Sequence, residues 1–110
     1  MSTIYIGNSS DFEEGKGKMV VIDHKDCAVY RSNGELGCIR NECVHKGGRL
    51  CDGWLKDGKV VCPLHMWEFD FKTGKGFGKE SSGSFRIWEE QGKVYVDTTP
   101  MTPRVDYPAF

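Results

Sequence analysis

The sequence predicts an all-β fold, an antiparallel β-sandwich or small barrel with an inserted subdomain of two loops around a hairpin. Short β-type runs recur along the chain with turn dipeptides between them. No stretch keeps an apolar face at helical spacing for three turns. Between Asn41 and Gly78 the pattern changes to a glycine-rich stretch holding two Cys/His pairs. Together these features imply a β-sheet body carrying a small, differently built unit.

In chain order the strand runs are TIYIG, KMVVID, CAVYR, LGCIR, KVVC, WEFDF, SFRIWEE and KVYVD, most of them rich in β-branched or aromatic residues. Asn33-Gly34, Asp57-Gly58, Thr73-Gly74 and Gln91-Gly92 punctuate them as tight turns. A two-residue turn at Asn33-Gly34 places Val29 opposite Cys38 and leaves Cys27 diagonal to it. That diagonal is too wide for an unstrained disulfide, so Cys27 and Cys38 are read as small buried hydrophobes. The segment KDGKVV forms the hairpin between the Cys/His pairs, and residues 41–78 are taken as the inserted subdomain. Three of the four prolines fall in the last thirteen residues, so 99–110 is expected to run as an extended tail.

At 110 residues the chain is long enough for one hydrophobic core, and 1–110 is read as a single domain. A net charge of −1 with both signs interspersed leaves no electrostatic footprint for nucleic acid. The opening MSTIYIGNSS lacks the basic start and apolar run of a secretory signal, and no apolar run is long enough to span a membrane. The expectation is a soluble, cytoplasmic protein. Five cysteines, an odd number, suit a reducing compartment better than a disulfide scaffold.

Cys43 and His45 stand next but one to each other, and Cys62 and His65 repeat the pair one residue wider. Two thiolates and two imidazoles on tight turns converge if the intervening hairpin brings the turns together. Such a set suits a metal, and a structural zinc is one reading. Zinc knuckles, however, usually take like with like, as in CxxC with HxxxH. A mixed pair on each loop lets a thiolate serve one iron and an imidazole the other of a two-iron cluster. Cys51 lies between the pairs and is read as a packed or exposed thiol rather than a spare ligand.

The run Cys43, His45, Gly47, Leu50, Gly53 followed by Cys62, Pro63, His65, Trp67, Phe69 and Gly74 resembles the Rieske 2Fe-2S proteins, in the form CxHxGxxLxxG…CPxHxWxF. The resemblance extends over DFEEGKGKMVVID and GKVYVD to about Thr98. It implies one Rieske-type 2Fe-2S cluster held by Cys43, His45, Cys62 and His65. High-potential members carry a bracing cysteine pair where this chain has Gly48 and Leu64, and cluster-facing hydroxyls where it has Trp67 and Phe69. The chain therefore resembles the soluble, low-potential Rieske-type ferredoxins. Met66 stands where glycine is common, and the third loop, GKGFGKESSGS, lacks the proline of many relatives.

The resemblance implies a monomeric one-electron carrier, not an enzyme. It would pass electrons transiently from a flavin-containing reductase to a terminal oxygenase acting on aromatic compounds. A mononuclear oxygenase iron needs two more histidines and a carboxylate, and only His24 remains. Two alternatives are a small Rieske-like subunit of a nitrite reductase, which would purify with a large partner, and a zinc-stabilised interaction module, which would be colourless. Lys46 and Arg49 flank His45 and could steer an acidic partner.

Overall fold

The computed structural model describes residues 2–44, 48–64 and 66–106. Among the described residues nine strands form in order: β1 (Thr3–Asn8), β2 (Lys18–Ile22), β3 (Lys25–Ser32), β4 (Glu35–Arg40), β5 (Trp54–Lys56), β6 (Lys59–Val61), β7 (Glu68–Asp70), β8 (Ser84–Glu90) and β9 (Lys93–Thr102). Six make an antiparallel sheet in the order β1-β9-β8-β4-β3-β2, and β5-β6-β7 make a second, smaller one. Helix among the described residues is limited to the 3₁₀ turns Ser9–Asp11 and Leu50–Asp52. None is long and apolar enough to cross a membrane.

Turn chemistry sets the hairpins as expected. At Asn33-Gly34, Asp57-Gly58 and Gln91-Gly92 both central residues have positive φ, the conformation whose twist matches a two-residue hairpin. Val29 pairs with Cys38, and Cys27 pairs with Arg40. The Cys27 and Cys38 thiols are free and fully buried. The neighbouring Cys27 thiol, together with burial, holds the Cys38 thiol well above the ordinary thiol range. A fourth tight turn, Asp23-His24, also has positive φ at both residues and carries no glycine to announce it.

Strands β3 and β4 form a shared wall. Their side chains alternate, so Cys27, Val29, Leu36 and Cys38 enter a core with Phe12, Ile22, Phe85, Val94 and Val96. Ala28, Tyr30 and Ile39 enter a second core on the other face, with Cys43, Leu50, Val60, Cys62 and Phe69. Burial on both faces explains why CAVY reads as a continuous apolar run instead of alternating. The small sheet is thereby seated on the back of the large one. The segment read as the tail begins inside a strand: β9 runs through Thr102, with Pro100 opposite Phe85 and Thr102 opposite Ser84.

Candidate metal centre

The first loop is held at its base by Asn41, which is buried. Its carbonyl accepts from Leu50 N–H at 2.7 Å, and its Oδ1 accepts from Cys51 N–H at 2.7 Å. Inside that base, Cys43 N–H donates to the Gly48 carbonyl at 2.8 Å, closing the loop on itself. The Tyr30 hydroxyl, reaching across from β3, donates to the Leu50 carbonyl at 2.6 Å. Burial pushes the Tyr30 phenol well above its usual range, so it serves as a donor at any physiological pH.

The second loop follows β6. Cys62 N–H donates to the Trp67 carbonyl at 2.8 Å, and the Cys62 carbonyl accepts from Met66 N–H at 2.9 Å. Met66 has φ 59°, a left-handed conformation that favours glycine and accounts for the residue common at that place in the resemblance. Trp67 packs against the core behind this loop and meets Phe77 of the third loop edge-to-face at 4.9 Å.

The hairpin between the loops brings them together. A Cβ on Gly48 would lie 2.9 Å from Cys62 Sγ and 3.0 Å from Leu64 Cδ1, so the first loop rests directly against the second. Positions 48 and 64, where high-potential relatives place a cysteine brace, are thus neighbours, filled here by glycine and leucine. Cys43 and Cys62 are both buried in the same core cluster. Their predicted partners, His45 and His65, lie outside the described residues, as does Lys46. Two buried thiols converging across a glycine cradle are a donor set suited to a thiolate-ligated cluster.

The motif glycines have steric reasons. A Cβ on Gly53 would collide with the Val61 carbonyl, and Gly74 combines φ 75° with a Ser82 Oγ that would sit 2.6 Å from its Cβ. Cys51 packs at the edge of the same core, its thiol near Arg49 Nη2 at 3.6 Å and Asp52 Oδ1 at 3.7 Å. Arg49 is engaged by the same Asp52, at 3.5 Å. His24 lines a cavity together with Lys25, Asp26, Arg40, Glu42 and Arg49, a lining of both signs.

Sequence reasoning missed Tyr30, Asn41 and Glu80. Glu80 is buried and organises the third loop without a proline: its backbone carbonyl accepts from Gly76 N–H, and its Oε2 from Gly78 N–H at 3.1 Å. A carboxylate four residues after a glycine gave no signal of that role. Tyr30 sits in a strand pattern where any large side chain would be buried, so its hydroxyl's target was invisible.

A six-stranded sheet backing a three-stranded unit, whose loops bring two cysteines together, defines an all-β metal-centre domain. The chain belongs to the family described as the Rieske [2Fe-2S] domain, whose model matches residues 2–97, and it carries one Rieske-type 2Fe-2S cluster. It is 39% identical over 66 residues to the ferredoxin component of the naphthalene 1,2-dioxygenase system of Pseudomonas putida, covering 60% of this chain and 64% of that one. The match thus spans under two thirds of that relative's length. Identity is 27% over 107 residues to the 3-phenylpropionate/cinnamic acid dioxygenase ferredoxin subunit of Shigella flexneri, covering 94% of this chain and all of the other. Among solved structures, a complex of reduced oxygenase and oxidised ferredoxin in carbazole 1,9a-dioxygenase contains a chain matched with a TM-score of 0.77 at 26% identity. That match covers 86% of this chain and 100% of the other.

Proposed function

We propose that this protein is a one-electron carrier of a multicomponent oxygenase system, accepting electrons from a flavin-containing reductase and delivering them to a terminal oxygenase that acts on aromatic compounds. The convergence of Cys43 and Cys62 across Gly48 supports it most directly. Cys43, His45, Cys62 and His65 are the proposed ligands, with 41–78 the cluster-binding subdomain of a single domain, 1–110. When bound by these residues, the cluster would supply one-electron redox chemistry.

The chain's own residues supply the rest. The apolar core behind Cys43 and Cys62 excludes water, and Gly48 lets the loops close without a covalent brace. Part of the surface of the second and third loops is apolar: Leu64, Met66 and Phe77 are 56%, 67% and 74% exposed. Met66 and Phe77 flank a groove of ≈ 300 Å³ over Trp67, with Lys59 and Glu68 beside it. Side chains so exposed suit brief contact with successive partners, with an interface below about 1,200 Å². The same reading places the protein as a cytoplasmic monomer of low potential, with no cluster-facing hydroxyl at Trp67 or Phe69.

The test is direct. Purified protein should hold about two irons and two sulfides per chain and give a rhombic EPR signal on reduction. His45→Ala or His65→Ala should abolish that signal. Reduced protein should be reoxidised on mixing with an oxidised terminal oxygenase, and should yield no product alone. Zinc in place of iron, or product from the pure chain, would refute the proposal.

A further inference from the structure

The family match ends at Asp97, yet the chain beyond it crosses two of the loops around the metal centre. Past β9, Val105 and Ser81 exchange backbone hydrogen bonds, 2.8 Å in each direction, tying this segment to the third loop. One residue earlier, the Arg104 side chain turns to the first loop. Its Nη1 donates to the Glu42 carbonyl at 2.7 Å, and Nη2 lies 3.7 Å from Glu42 Oε1. Asp106 Oδ1 accepts from Arg104 Nε at 2.9 Å. The planar guanidinium is therefore held along two edges, and its side chain is only 18% exposed.

The Glu42 carbonyl and the Cys43 N–H belong to one rigid peptide plane. Arg104 grips its oxygen while the Gly48 carbonyl accepts from its nitrogen, so the plane is clamped at both ends. Fixing that plane fixes the N–Cα bond of Cys43, which leaves only rotation about φ and χ1 to set where the thiol points. We propose that Arg104 is a positioning residue for the metal centre: it acts through the Glu42–Cys43 peptide to hold the Cys43 thiol in ligating orientation, while Val105 holds the third loop. The inference rests on the reading of Cys43 as a ligand.

Arg104→Ala, Arg104→Lys and Val105→Pro, each purified with its cluster, separate this role from general stability. The readouts are hydrogen exchange at individual amides, iron release to a chelator and the EPR line shape. Loss of a charge-assisted hydrogen bond should speed both Cys43 amide exchange and iron release about tenfold in Arg104→Ala. Its EPR signal should broaden as Cys43 samples more orientations. Arg104→Lys restores a single donor without the fork and should recover part of both rates. Val105→Pro removes one bond to Ser81 and should raise exchange at Ser81 but not at Cys43. Exchange in β2 and β3 should stay unchanged throughout. Unaltered Cys43 exchange in Arg104→Ala, or an equal rise across β2 and β3, would overturn the proposal. Wild-type protein that lacks iron yet shows the same Arg104-dependent protection at Cys43 would uphold the clamp and refute the ligand assignment.

Discussion

The two sheets hold themselves together by different means. In the six-stranded sheet, long registered pairings bury Phe12, Ile22, Val29, Phe85, Val94 and Val96 in one apolar core. In the small unit each strand is three residues long, and its shape depends on backbone approaches at Gly48 and Gly53 and on single polar contacts from Tyr30 and Asn41. Burying apolar area tolerates small displacements, since it is non-directional and roughly proportional to area. A ligand set does not, because bond distances and angles to a metal are narrow. The body supplies stability and the small unit supplies geometry, and the wall β3–β4 couples them.

The largest test truncates the body. Phe85→Ala should cost about 3–5 kcal/mol and lower the melting temperature of both regions together, because the small sheet packs on the β3–β4 wall that the body core supports. Melting of the two regions at separate temperatures, by far-UV dichroism and by cluster absorbance, would break the coupling. Next, Gly53→Ala drives a methyl into the Val61 carbonyl and should cost about 2–3 kcal/mol. Iron content should fall while far-UV dichroism of the body persists; retention of full iron would show that the loop has slack.

Tyr30→Phe removes the donor to the Leu50 carbonyl, which keeps a 3.1 Å bond from Gly53 N–H. The expected loss is about 1 kcal/mol, read as faster amide exchange around Leu50. The smallest effect lies in the body. Glu89 is held below the usual carboxylate range by its hydrogen bonds from Arg31, at 2.7 and 3.2 Å. Folding therefore favours its ionised form, and the contribution is complete above the unfolded carboxylate pKa of about 4.3 and lost as pH falls through the lowered folded value. Glu89→Gln should cost less than about 1 kcal/mol at pH 7, a difference that vanishes in strong acid. A difference that grew on acidification would reverse the assigned sign.

Much of the fold was legible because turn chemistry is local. Asn33-Gly34 alone sets the register that pairs Val29 with Cys38. The Asp23-His24 turn was not legible, since neither residue requires positive φ. The end of β9 was missed because Pro100 and Pro103 argued against a strand, yet β9 meets β8 through register shifts at Ser84, Phe85 and Ile87 that accommodate Pro100. Among the proposed ligands, Cys43 and Cys62 fall in one core, while His45 and His65 lie outside the described residues.

The sequence by itself determined the β class, the hairpin turns, the Cys/His spacing and the family, because each is written in residues a few positions apart. Only the tertiary structure decided which distant residues hold the loops. Tyr30 reaches Leu50 across twenty residues and Arg104 reaches Glu42 across sixty-two, and neither carries a local signature. Such pairings are set when β3 and β4 become the wall between two cores, so they follow from how the sheets pack and cannot be read from any single stretch of chain.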